Sequence, residues 1–207
     1  MSDLHEPSDL DSSADVTAVV LAGGSSRRFG SDKLGAALRG STVLDEALDG
    51  LPHHWPVVVV GAERTTRRPV TWTREDPPGG GPLAGVAAGI DLVATHLVVV
   101  LAGDMPDGGP VTARLVEALR HAPPEVGAVV AVDDEDHANP LLAAYRARMV
   151  RAVLPDPAHD RPAKTLLTVP HTGLRVGGTG ASDVDTPADL AALSSSWGPP
   201  GGRSATT

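Results

Sequence analysis

The chain has no cysteine in 207 residues. That absence excludes disulfides, thiolate metal sites and a thiol nucleophile, and it fits a reducing compartment. Aromatic residues are nearly as scarce, with one Phe, one Tyr and three Trp. The 41% of hydrophobic residues must therefore build a core of Val, Leu and Ala, which suits parallel strands covered by helices better than an aromatic-rich sandwich. Lysine occurs twice, at Lys33 and Lys164, against fifteen arginines. Net charge is −9, so nucleic acid is not expected as a general partner. No apolar run reaches the length of a membrane span. The opening residues MSDLHEPSDLDSSAD are acidic and polar, unlike a signal peptide, and the expectation is a soluble cytoplasmic protein with no membrane partner. The eight histidines are scattered without ligand spacing, so a zinc site has no support. Ser25 and Ser26 lack a triad, which leaves covalent hydrolase chemistry unsupported.

What is present is an alternation. Strand-like runs cover Thr17–Leu21, Pro56–Val60, Val70–Thr73, His96–Leu101, Val126–Val132, Leu141–Tyr145 and Leu174–Val176. Helix-like stretches cover Val43–Leu48, Leu83–Val93, Val111–Arg120, Ala147–Leu154, Ala163–Leu167 and Ala188–Leu193. This order predicts an α/β fold with a mainly parallel sheet. One domain over residues 15–193 is expected, between a disordered acidic lead at 1–14 and a disordered tail at 194–207.

In such sheets ligands sit beyond the carboxyl ends of the strands. After the first run comes AGGSSRRFGSDK, whose glycines let the backbone turn sharply and lie close to a ligand. Its exposed N–H groups, with Arg27, Arg28 and Lys33, make a cradle for a polyanion, a nucleotide triphosphate foremost. The spacing is neither a Walker loop nor G-x-G-x-x-G, and the latter absence argues against a dinucleotide-dependent oxidoreductase. In a chain that otherwise uses arginine, Lys33 reads as a point charge reaching a phosphate oxygen in a tight loop.

Two further strands deliver polar ends to the same edge. Asp104 follows LVVVL and precedes Pro106, a position suited to holding Mg²⁺; the alternative is a turn aspartate capping its own loop. Asp76 precedes the proline- and glycine-rich loop that enters the helix near Pro82, and reads either as a base or ribose contact or as loop punctuation. In Asp185-Thr186-Pro187-Ala188-Asp189, Thr186 caps a helix, Pro187 takes its first position and Asp189 lies in the first turn. Asp185 stands outside that cap, as a candidate second metal ligand. Arg161 and Lys164 are candidate contacts to an anionic acceptor, or a solvated helix start.

These residues resemble the molybdenum cofactor guanylyltransferases within the MobA-like nucleotidyltransferases. LAGGSSRRFGSDK, residues 21–33, resembles the signature L-A-G-G-x-x-x-R-[MF]-G-x-D-K. Gly81–Gly85 resembles G-P-L-A-G, Gly103–Pro106 resembles C-D-M-P, and Asp185–Leu190 resembles N-T-P-E-D-L. The resemblance implies a three-layer Rossmann-like nucleotidyltransferase fold with a mixed, mainly parallel sheet. It implies GTP as donor, a molybdopterin-type phosphate as acceptor, Mg²⁺ as cofactor, and transient contact with molybdoenzymes or cofactor-handling proteins. Leu21, Ala22 and Gly23 would line the base and ribose, Gly24 would belong to the nucleotide-binding loop, Arg28 and Lys33 would meet the triphosphate, Asp76 would help hold the nucleotide, and Asp104 would bind the metal. Where the family often has an asparagine after its second strand, this chain has Gly61-Ala62-Glu63. The rival readings are a related transferase using another base or acceptor (molybdopterin cytidylyl, phospholactate guanylyl or sugar-phosphate transfer) and a non-catalytic nucleotide-binding delivery protein.

Overall fold

The computed structural model describes residues 15–24 and 29–195. Arg28, the 1–14 lead and residues 196–207 of the expected tail lie outside the described residues. In chain order the elements are β1 (Val16–Leu21), β2 (Ala37–Leu38), β3 (Ser41–Thr42), α1 (Val43–Asp49), β4 (Val57–Val60), β5 (Thr71–Thr73) and α2 (Gly81–Ile90). They continue with β6 (Leu97–Ala102), α3 (Gly109–His121), β7 (Ala128–Val132), β8 (Ala138–Arg146), α4 (Ala147–Val153), β9 (His171–Arg175) and α5 (Pro187–Ser195).

Valine-rich runs buried on both faces form the centre of a sheet ordered β5-β4-β1-β6-β8-β7-β9. β5, β4, β1 and β6 run parallel, β8 runs against its neighbours β6 and β7, and β7 pairs β9 in parallel. Successive side chains of a strand point to opposite faces, and that alternation divides the core in two. Val16, Ala18 and Val20 of β1 pack with Leu44, Leu48, Leu115 and Leu119 of α1 and α3. Val19 packs on the other face, with Leu83, Val86 and Ile90 of α2 and Val150 of α4. The result is the expected helix–sheet–helix sandwich. Gly89 makes the second layer tight: a Cβ there would stand 2.5 Å from Val19 Cγ1, so α2 lies closer to β1 than an alanine would permit.

Some boundaries differ from the sequence reading. β9 starts at His171 rather than Leu174, because its partner β7 supplies the ladder while the side chains of an edge strand stay polar and exposed. Ala163–Thr168 is a 3-10 turn rather than an α-helix, closed by i to i+3 bonds such as Thr165 N–H to Pro162 O. Ser194 and Ser195, expected in a disordered tail, belong to α5, where their hydroxyls donate back to Leu190, Ala191 and Ala192 carbonyls. The β2–β3 hairpin was not anticipated. Its turn residues Arg39 and Gly40 have φ of 53° and 83°, and such turns usually advertise themselves with Asn or Asp in the first position. Here Arg39 is held there by tertiary contacts, its Nη1 donating to Asp107 at 2.5 Å and its Nη2 to the Leu193 carbonyl.

Candidate active site

The three polar strand ends meet at one rim. Gly103 N–H donates to the Leu21 carbonyl at 2.9 Å, joining the ends of β6 and β1 directly. On the other side Ala22 N–H reaches Val60 O at 2.8 Å, and Gly61 N–H reaches Thr73 O at 2.9 Å. At Gly61 a Cβ would stand 2.6 Å from the Ala22 carbonyl, and φ is 156°. Only glycine lets β4 close against the loop after β1 in this way. Ala22 is buried, Leu21 is half-buried, and Gly23 and Gly24 face solvent, with Gly24 at φ 131°.

Lys33 leaves the far end of this loop and reaches back to the end of β6. Its Nζ donates to Asp104 Oδ2 at 2.6 Å and to Asp185 Oδ1 at 3.2 Å. The expectation for Lys33 was a phosphate contact; the structure gives its ammonium two carboxylate partners. Its side chain is only 12% exposed, and that burial works against the charged form. The hydrogen bonds and charges of Asp104 and Asp185 outweigh it, so the Lys33 pKa rises and the ammonium stays charged.

Asp185 arrives through a precise local fold. Val184 is buried, and its N–H donates to the Asp104 carbonyl at 2.9 Å, which docks the segment onto β6. Asp189 then accepts from the Asp185 and Thr186 N–H groups at 3.1 and 2.7 Å, while Thr186 Oγ accepts from Asp189 N–H, so the Thr186 cap read from the sequence is made reciprocal by Asp189. With Val184 turned inward, Asp183 and Asp185 share the opposite side. Asp104, Asp183 and Asp185 each offer a carboxylate oxygen within 4.8 Å of the others.

Asp183 was missed in the sequence, although the alternation Asp183-Val184-Asp185 carries the signal. Its outer surface is exposed, but its carboxyl lies against the other two acids. Lost hydration, then the negative charges of Asp104 and Asp185, push its pKa above the usual aspartate range, with Lys33 opposing. A set of hard carboxylate oxygens with excess negative charge fits a small divalent cation such as Mg²⁺.

Asp76 lies exposed on the rim beyond β5, and the glycine-rich loop is secured instead by Glu75, whose Oε1 accepts from Gly79 N–H at 3.0 Å. The same loop is covered by the turn after α4, where Asp160 N–H donates to Gly80 O at 2.9 Å. Arg161, next to that contact, is exposed, and Lys164 sits on the following 3-10 turn, also exposed. Arg64, unremarked in the sequence, grips both oxygens of Asp32 at 3.0 and 2.8 Å, tying the residue before Lys33 to the loop after β4. Among the described residues no helix is long and apolar enough to cross a membrane.

Comparison with known proteins agrees with this geometry. Residues 18–174 match the family described as MobA-like NTP transferase domain. A Deinococcus radiodurans protein named "Probable molybdenum cofactor guanylyltransferase" is 31% identical over 185 residues, covering 86% of this chain and 94% of that protein. A Chloroflexus aggregans protein of the same name is 33% identical over 140 residues, covering 63% of this chain and 65% of the relative. In structure, the chain is similar to molybdopterin-guanine dinucleotide biosynthesis protein A from Archaeoglobus fulgidus, with TM-score 0.66 at 22% identity, over 86% of this chain and 97% of that one. A 4-diphosphocytidyl-2C-methyl-D-erythritol synthase from Anaerococcus prevotii shares the fold at TM-score 0.63 and 13% identity, over 89% and 98% of the two chains. With three strand ends joined at one acidic rim and a family match over most of its length, this chain belongs to the MobA-like NTP transferase family and is a nucleotidyltransferase.

Proposed function

We propose that this enzyme transfers GMP from GTP to the terminal phosphate of a molybdopterin-type cofactor and releases pyrophosphate. The reading rests on one observation above all: Asp104 and its partner Lys33 stand together at the rim where β1 and β6 end, beside the glycine loop. The guanylyl assignment and the acceptor are supported by the names of the relatives.

Asp104, Asp183 and Asp185 are the residues that would hold Mg²⁺. When bound, the ion supplies charge neutralisation and Lewis-acid polarisation at a phosphoryl group. The chain's own residues do the rest. The Leu21–Gly24 backbone lies against base and ribose, and Asp76 accepts a hydrogen bond from the nucleotide. Lys33, already charged, exchanges a carboxylate for a phosphate oxygen when the triphosphate arrives, and Arg28 adds a second cation to the leaving group. An acceptor oxygen forms the new bond to the α-phosphorus, and the bond from the α-phosphorus to the bridging oxygen breaks, its electron pair leaving with pyrophosphate. A phosphate monoester is largely dianionic at neutral pH, so the attack needs no general base, and the residues gathered here include no histidine placed for one. Catalysis is then alignment and charge compensation. The guanylylated product passes to a molybdoenzyme or cofactor-handling protein by transient contact.

The test is pyrophosphate release with GTP, CTP, ATP and UTP, each with Mg²⁺ and a molybdopterin, phospholactate or sugar-phosphate acceptor. The expected result is release with GTP and molybdopterin. A preference for CTP, or for another acceptor, moves the enzyme to that branch of the family, and nucleotide binding without release from any pair overturns catalysis itself.

A further inference from the structure

Lys33 owes its place at the acid cluster to how the chain on either side of it is held. Downstream the anchor is a buried side chain and backbone bonds. Leu34 is in the core, its carbonyl accepts from Leu44 N–H at 3.1 Å, and Ala36 N–H closes a turn onto the Lys33 carbonyl at 3.2 Å. Upstream the anchor is an ion pair. The Asp32 side chain is 61% exposed, and Arg64 reaches it from the loop after β4. A Cβ on Gly35 would stand 2.5 Å from Asp32 Oδ2, so the carboxylate lies tightly over the turn that carries Lys33. Arg64 first, with the Gly35 and Leu34 N–H groups, holds the Asp32 carboxyl below the usual aspartate range.

The form of this clasp says what it is for. A guanidinium that fastens a carboxylate commonly brings two nitrogens to two oxygens, as Arg39 does with Asp107. Arg64 brings Nη1 alone to both oxygens of Asp32, and its buried Nε has no hydrogen-bond partner among the described residues. An exposed pair of this kind adds little to folding stability. What it does fix is a direction. With residue 32 tied to the β4 loop, the next side chain turns inward, to Asp104 and Asp185, rather than out to solvent. The same two carboxylates belong to the set suited to a divalent cation, so the ammonium and the metal are rivals for them. Holding the ammonium in place penalises metal binding. Releasing it leaves three carboxylates uncompensated and favours the metal.

We propose that Arg64 is a positioning residue for nucleotidyl transfer: by clasping Asp32 it keeps Lys33 on the acid cluster, so that the metal settles there only with the triphosphate that draws the ammonium away. The role rests on the reaction proposed above, with Asp104 as a metal ligand. It gives the loop after β4 a part in the chemistry without any contact to the reacting atoms, and it couples metal binding to nucleotide binding through one side chain.

The experiment compares the full chain with Arg64→Ala, Asp32→Asn, Lys33→Met and the double variant Lys33→Met/Arg64→Ala. Each is titrated by thermal shift with Mg²⁺ alone and with GTP–Mg²⁺, and assayed for pyrophosphate release. Without nucleotide, Arg64→Ala and Asp32→Asn should each need about fivefold less Mg²⁺ than wild type, the scale of one unit charge ~4 Å away in water. A loop that was merely loosened would weaken the site instead. With substrate, kcat should fall about tenfold and the KM for GTP change less, because a displaced Lys33 costs most where charge develops on the leaving group. The metal-free melting temperature should hardly move. Once Lys33 is methionine, removing Arg64 should alter neither the Mg²⁺ requirement nor kcat any further. Wild-type Mg²⁺ and GTP responses in both single variants overturn the role, as does an Arg64→Ala effect that persists in full without Lys33. Asp104→Asn separates the two levels. If that change leaves the Mg²⁺ titration as in wild type, the metal reading of the proposed function fails and this role with it; if it abolishes the response while Arg64→Ala and Asp32→Asn behave as wild type, only the role of Arg64 fails.

Discussion

Around Arg39, one guanidinium meets Asp107 through two bonds, at 2.5 and 3.2 Å, with Glu46 at 3.6 Å and the Leu193 carbonyl closing the set. Around Lys33, one ammonium meets Asp104 and Asp185 while Asp183 stands by as a third acid. Both clusters join segments far apart in the chain, and both basic side chains are 12% exposed. They differ in the form of the cation. A planar fork matched to a carboxylate binds a single arrangement firmly and leaves little reason to rearrange. A point charge on a flexible stem, facing more negative charge than it can neutralise, leaves room for another cation and can change partners. The first is a fastening; the second has the properties that the proposed function asks of a working site.

The sharpest way to break this distinction is Asp104→Asn. Loss of one preorganised electrostatic contact should cut kcat by about 10²-fold or more, while the thermal midpoint changes little. Full activity in that variant would dissolve the working site. Arg39→Ala should do the reverse. It removes both carboxylate bonds and the support of a positive-φ turn, costing about 1–3 kcal/mol in urea denaturation with kcat preserved. Equal losses of rate and stability in either variant would erase the contrast.

Asp183→Asn sharpens it more finely. The raised Asp183 pKa means that the folded chain holds a proton more tightly than the unfolded chain just above the usual aspartate range. Stability from this group is thus fully present at low pH and declines as pH rises from about 3.8 through the folded value. The asparagine variant should lose that decline and melt slightly higher at neutral pH without metal, yet require more Mg²⁺ in a thermal-shift titration. A drop in metal-free melting temperature would mean that Asp183 is structural. Smallest of all is the stability effect of Lys33, which should register only in strong alkali. Its raised pKa makes its contribution complete below about 10.5 and lost as pH climbs through the folded value, visible as a steeper alkaline unfolding curve that Lys33→Met abolishes.

The parallel half of the sheet was legible because its signals are local. Valine runs mark β1, β4 and β6, glycines mark their ends, and Asp104 sits at the exit of the most apolar run. Thr186, Pro187 and Asp189 announced α5 for the same reason. What stayed hidden depends on contacts distant in sequence. The Arg39 turn is stabilised from Asp107 and Leu193, and the first residues of β9 have too little apolar surface to show where the strand begins. Lys33 was found, but its carboxylate partners become apparent only when Val184 docks. Asp183 was overlooked because an acid beside a helix cap has an ordinary explanation until that docking puts it against Asp104.

The bond from Val184 N–H to Asp104 O has a consequence for how the acidic cluster is assembled. Asp104 lies at the end of β6, whereas Asp183 and Asp185 come from a segment far downstream in the chain. One backbone hydrogen bond beside a buried valine therefore sets the spacing of three carboxylates, and loosening that segment would part the acids without altering any of them.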